Sequence, residues 1–130
     1  MSDDEFLAAF ERGVIAKEDF HHRDHLRLAW ACLRRAPEPE AFARVRTAIC
    51  RFAETHGVPH LYHETITRFW VTWVAAAVRE NGEAADFEYA ARRHPELLDE
   101  DAIRRHYRPE TLASERARAA WVEPDLLPLP

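Results

Sequence analysis

The sequence predicts an all-α fold: a single-domain, compact bundle of about six to seven helices, closed by an extended tail over 122–130. Three observations carry this. Apolar residues recur at three- and four-residue intervals along most of the chain, and no run of alternating β-branched residues interrupts them. The only three glycines, Gly13, Gly57 and Gly82, each follow such a periodic stretch, where a helix ends. Pro37, Pro39 and Pro59 stand where helices begin, since proline is tolerated in a first turn. At 130 residues the chain has the size of one domain, and its 47% hydrophobic content, with four tryptophans and seven phenylalanines, supplies a real core.

Each element then follows in order. Ser2 and Glu5 have the spacing of a capping box, and Phe6, Leu7 and Phe10 supply a stripe, which makes a helix from about 3 to 12. The second helix starts at His21 or His22 and runs to about Arg35, with Leu26, Ala29, Trp30 and Leu33 inward. The third, after the two prolines, carries Phe42, Val45, Ile49, Phe52 and Ala53. The fourth is expected from Pro59 to Asn81 and is apolar around much of its girth, which points to the most buried position and to burial of both Trp70 and Trp73. Shorter helices are expected over about 84–93, 99–107 and 109–121. The tail EPDLLPLP cannot be helical, and Leu126, Leu127 and Leu129 are expected to dock it, with Arg118 pairing to Asp125.

Composition excludes several roles. The net charge is −5, and the cations are arginines apart from Lys17, with no basic stripe of the kind nucleic-acid binding requires. No apolar run nears the roughly 20 residues needed to span a bilayer, and MSDDEFLAAF does not read as a signal peptide. Cys32 and Cys50 form no CxxC pair and lie in apolar patterns, as free thiols in a reducing cytoplasm would.

Histidine is the unusual feature. Eight occur, and six fall in two clusters: His21, His22 and His25 in FHHRDHLRLAW, and His56, His60 and His63 in THGVPHLYHETITRFW. His22 and His25 share a helix face that runs into the buried stripe, and His60, His63 and Thr67 form a second such row. Facing helices that project imidazoles inward are how bundle metal sites are built, so His22, His25, His60 and His63 are the candidate ligands for a divalent transition metal such as zinc, iron or copper. Glu64 is a candidate general base or further ligand, or else an ion-pair partner of Arg68. Asp24 either orients a histidine or complements the helix dipole. Trp30, Tyr62, Thr67 and Trp70 are the candidate pocket wall. Each histidine also has a plainer reading, as a cap, a ring packed on an aromatic, or a partner for a carbonyl. His56 reads as a helix C-terminal residue and His94, before Pro95, as a loop residue.

The strings FHHRDHLRLAW, YHETITRFW and HYRPETLASERARAAWVEPDLLPLP resemble a family of small, uncharacterised, all-helical bacterial proteins. The resemblance runs from about residue 20 to the end and implies no activity. It implies only that His22, His25, His63, Glu64 and Arg118 lie within recurring strings. Three functions compete on the sequence: a small metalloenzyme acting on a small organic molecule, a non-catalytic domain binding a metal or small ligand, and a structural domain whose histidines are satisfied in the core.

Overall fold

Ser2 starts the first helix in the way its spacing to Glu5 requires. Its hydroxyl accepts the Glu5 N–H at 3.1 Å, while the Glu5 carboxylate accepts the Ser2 N–H at 2.8 Å. In the computed structural model, which describes residues 1–82 and 85–129, α1 is Asp3–Glu11, α2 His22–Leu33, α3 Glu38–Thr55, α4 Glu64–Asn81, α5 Phe87–Arg93, α6 Pro109–Ala113 and α7 Glu115–Ala119. Tight 3₁₀ turns occupy Lys17–Asp19, Pro59–Leu61, Pro95–Leu98 and Glu100–Arg105, and no strand occurs among the described residues. The expected helix start at residue 84 and the terminal Pro130 lie outside the described residues. Gly57 ends α3 with φ of 73°. Its N–H bonds the Glu54 carbonyl at 3.1 Å and the Val58 N–H bonds Ala53 at 2.8 Å, the paired closure that a left-handed residue permits.

The central helix is α2, not the expected α4. It packs against α1, α3, α4 and α5. Leu26, Leu28, Ala29, Trp30, Ala31 and Cys32 are all buried, so its middle is enclosed on every side, and the small Ala29 and Ala31 let neighbours approach closely. On α4, Phe69, Trp70, Val71, Val74, Ala75 and Ala77 are buried, but Arg68 is exposed and Trp73 only half-buried. Trp73 lies flat on Trp70 at 5.3 Å between ring centroids, as the outer layer of a stacked pair. Cys32 is buried and Cys50 half-buried, both as free thiols. No helix among the described residues is long and apolar enough to cross a membrane.

The later elements are shorter than the periodicity suggests. The stretch expected as one helix over 99–107 is a 3₁₀ segment, capped where the Asp99 carboxylate accepts the Asp101 N–H. The stretch over 109–121 breaks at Ser114. That residue is extended, with φ −72° and ψ 148°, and its hydroxyl accepts the Ala117 N–H at 3.1 Å to start a new turn.

The tail is docked as expected, by polar contacts and by one of its three leucines. Leu126 and Leu127 are exposed, at 47% and 54%, and only Leu129 packs on the core. The Leu126 N–H bonds the His106 carbonyl at 2.9 Å, and His106 Nδ1 donates to the Leu127 carbonyl at 3.0 Å. The Tyr107 hydroxyl donates to the Val122 carbonyl at 2.6 Å. Asp125 does not pair with Arg118; its carboxylate accepts the Arg108 N–H at 3.0 Å and the Thr111 hydroxyl. An extended chain has unpaired carbonyls and N–H groups, and folded side chains satisfy them here. Fully buried Thr65 serves both kinds: it donates to the Ala120 carbonyl at 2.9 Å and accepts the Val122 N–H at 3.1 Å. Thr65→Val keeps the shape and removes both bonds, so it should lower stability by about 1–2 kcal/mol in urea titration and speed amide exchange at Val122. Unchanged exchange there would show that the tail is held without Thr65.

Candidate functional site

The N-terminal ends of α2 and α4 open onto one cleft of about 830 Å³. Ala29 from α2, Val45 and Ile49 from α3, and Ile66, Trp70 and Val71 from α4 form its apolar floor. His22, His25 and His63 all line it, so the two histidine clusters do meet around one space. Each of the three rings is engaged by backbone through at least one nitrogen.

His63 lies outside the helix face on which the sequence placed it. Pro59–Leu61 is a separate 3₁₀ turn, and His63 is extended, with φ −133° and ψ 111°, as the N-cap of α4. Its Nδ1 accepts the Ile66 N–H at 3.1 Å and its Nε2 contacts the Leu112 carbonyl at 2.7 Å. A carbonyl only accepts, so Nε2 holds the proton. Both nitrogens are therefore occupied, and neither lone pair is available to an ion without losing a helix cap. Burial lowers the pKa of this ring, and the Arg118 charge adds to the effect, against the opposing Leu112 carbonyl. His60 is exposed on the 3₁₀ turn and shares no face with His63.

Glu64 is engaged as well. Arg46 of α3 grips both carboxylate oxygens, with Nε at 3.0 Å, and the Tyr62 hydroxyl donates to it at 2.7 Å. Burial alone would raise the Glu64 carboxyl, but the hydrogen bonds from Arg46 and Tyr62 and the charges of Arg46 and Arg68 outweigh it and hold it below its ordinary value. Burial and the same carboxylate push the Tyr62 phenol up. This ionised, paired Glu64 is a structural anchor and a poor proton donor. Arg68, its expected partner, lies over the Trp121 ring at 4.9 Å.

His22 and His25 differ. His22 Nε2 donates to the Leu97 carbonyl at 2.8 Å, and its ring meets the Trp70 edge at 4.5 Å. His25 Nδ1 donates to the His21 carbonyl at 3.1 Å, and its ring lies 3.9 Å from that of Phe20. These bonds place a proton on His22 Nε2 and His25 Nδ1; in the neutral ring the other nitrogen, Nδ1 of His22 or Nε2 of His25, is the acceptor, and neither has a protein partner among the described residues. Burial pushes His25 down to about 4, the nearby His22 adds to that, and the His21 carbonyl and Asp24 oppose it. The ring is neutral at pH 7. Asp24 accepts the His21 N–H at 2.9 Å and so caps the first turn of α2.

Among the described residues no three His, Cys, Asp or Glu side chains group closely enough to hold a metal ion, and of the four expected ligands only His22 and His25 keep an open nitrogen on the cleft. Of the expected wall, Tyr62, Thr67 and Trp70 line the cleft. Trp30 does not; it is fully buried on another side of α2, 6.5 Å from the Phe87 ring. Trp30 is one residue past the cleft-lining Ala29, roughly 100° further round α2, and so faces another side from His22 and His25.

Sequence reasoning missed Arg46, Phe20 and the two carbonyl partners, Leu97 and Leu112. Backbone acceptors distant in sequence leave no trace in residue identity. It also misassigned Arg118, whose Nη1 donates to the carbonyls of His60, Leu61 and Tyr62 at 3.1–3.2 Å. Those carbonyls end a short 3₁₀ turn, where a cation is favoured. Arg118→Ala should loosen this wall of the cleft, seen as faster amide exchange in Glu64–Ile66 with little change in global stability.

The chain matches no family model, and no curated protein or solved structure is significantly similar to it. Function is therefore argued from the cleft alone.

Proposed function

We propose that this protein binds a small organic molecule in the cleft between the N-terminal ends of α2 and α4. One observation carries this: two imidazoles, one turn apart on α2 and each bonded to a backbone carbonyl through one nitrogen, present the other nitrogen at an apolar cavity of about 830 Å³. Ligand sites are typically concave, mostly apolar and furnished with a few placed polar groups, and cavities of roughly 300–1,000 Å³ are usual. His63, by contrast, has both nitrogens engaged. The ring of His25, neutral near pH 7, suits hydrogen-bond acceptance, and an enzymatic role would rest on the same two residues. The free thiols suit a reducing cytoplasm.

Trp70 lines the cleft, so its fluorescence reports occupancy. Titration with small aromatic compounds should quench or shift it saturably, and His22→Ala with His25→Ala should weaken the response. A response unchanged in that double variant would place binding elsewhere. Metal analysis of untagged protein addresses the metalloprotein alternative: about one ion per chain would mean that His22 and His25 recruit further ligands by rearrangement, and would replace the present proposal.

A further inference from the structure

We infer that the cleft selects an uncharged ligand that donates a hydrogen bond, of the phenol or alcohol class, over anions and over purely apolar molecules. This rests on the reading of the cleft as a ligand site and specifies its chemistry. The argument is an inventory of protons. The His22 Nε2–H is directed to Leu97, and the His25 Nδ1–H to His21. The His63 Nε2–H is directed to Leu112. The Thr67 hydroxyl donates to the His63 carbonyl at 2.8 Å, and the Tyr62 hydroxyl donates to Glu64. His21, Arg23, Glu100, Asp101 and Arg104 also line the space, but these five side chains, His22, His25, His63, Thr67 and Tyr62, point the protons that hold their geometry into protein. What they leave is acceptor capacity: two imidazole nitrogens and the remaining lone pairs of the Thr67 hydroxyl. The Trp70 indole N–H, on the aromatic wall, has no protein partner among the described residues, and a hydroxyl group, which both donates and accepts, suits that mixture.

Charge points the same way. An anion in the cleft would meet lone pairs, with the Glu64 carboxylate behind Tyr62. The guanidinium of Arg46 is fully engaged by that carboxylate, and Arg23, at the rim, pairs with Glu88. Arg104 is also at the rim, faced by Asp101 at 3.7 Å. A cation would have to give up its hydration on an apolar floor that already holds His25 in its neutral form. A neutral ligand avoids both penalties. Phe20 and Trp70 supply flat surfaces against which an aromatic ring could lie.

The test compares p-cresol, toluene and 4-methylbenzoate, which share one ring and methyl group and differ in the polar group. Binding to the wild-type protein is followed by Trp fluorescence and by ¹H–¹⁵N shifts of Ile66, Thr67 and Val71. The expected result is that p-cresol binds about tenfold tighter than toluene, as one added hydrogen bond to a desolvated acceptor allows, and that 4-methylbenzoate binds weakest. The His25 ring nitrogen should shift with p-cresol only, and His25→Phe should remove the preference for p-cresol while toluene still binds. Toluene equal to p-cresol, or 4-methylbenzoate tightest, with shifts at the cleft residues, would overturn the donor preference and leave the cleft as a ligand site. No cleft shifts with any of the three would overturn both. The wild-type comparison needs no variant to fold.

Discussion

Trp30→Ala is expected to destabilise the protein by about 3–5 kcal/mol, as truncation of a large core aromatic does. Trp30 is 0% exposed, on the helix that touches four others, and packs edge-on to Phe87. No neighbour can collapse into the space without moving α1, α3, α4 or α5. Trp73, half-buried on the outside of its stacked pair, is the control, and Trp73→Ala should cost less than half as much. The Trp30 Nε1–H has no hydrogen-bond partner among the described residues, and an unsatisfied buried donor is itself unfavourable. Trp30→Phe removes that donor while leaving a smaller void, so its net cost should stay near 1 kcal/mol. Chemical denaturation midpoints at fixed pH measure all three. Equal losses for Trp30→Ala and Trp73→Ala would mean that α2 is not the centre of the fold.

Acidification is expected to remove roughly 3 kcal/mol of stability between pH 6.5 and pH 4 through His25 alone. Above about pH 6.5 the ring is neutral in both the folded and unfolded chain. Below that, the unfolded ring takes a proton that the folded ring, held down to about 4 by burial, still refuses. The unfolded state then binds more protons, so stability falls as pH falls, and the loss is complete near pH 4. Other groups move in the same direction. His63 is lowered by burial, and the Arg44 hydrogen bond to Glu11 lowers that carboxyl, whose stabilisation is present at neutral pH and lost on acidification. They are common to the wild type and His25→Phe, so the stability difference between these two proteins isolates His25. It should shrink by roughly 3 kcal/mol from pH 7 to pH 4, read from urea titrations at several pH values. A difference independent of pH would show that His25 titrates as an exposed histidine, and its nitrogen would then be wetter than the ligand proposal requires.

The two effects share a cause. The enclosed middle of α2 makes Trp30 costly to truncate, and the same helix carries His25 at its near end to the cleft, where burial lowers its pKa. Packing of one helix thus sets both the stability and the chemistry of the candidate site.

The amino-acid sequence by itself determined the helical class, the capping box at Ser2 and Glu5, the glycine stops at 13, 57 and 82, and the pairing of His22 with His25 on one face. These are local: each depends on residues within about four positions, and the 3.6-residue period encodes them directly. Only the tertiary structure decided which helix is central, because α2 and α4 are both apolar around much of their girth and burial depends on what packs against them. It also decided the fate of the second histidine cluster. A proline suits the start of an α-helix and of a 3₁₀ turn equally, so the string from Pro59 to His63 did not reveal that His63 would cap α4 and leave His60 outside its face. The partners that settle the imidazole tautomers, the carbonyls of His21, Leu97 and Leu112, are backbone atoms common to every residue, and two of them come from 75 and 49 positions away. Arg46 meeting Glu64 and Arg118 meeting the turn at 60–62 are of the same kind. Chain folding brings such groups together, and residue identity carries no mark of it.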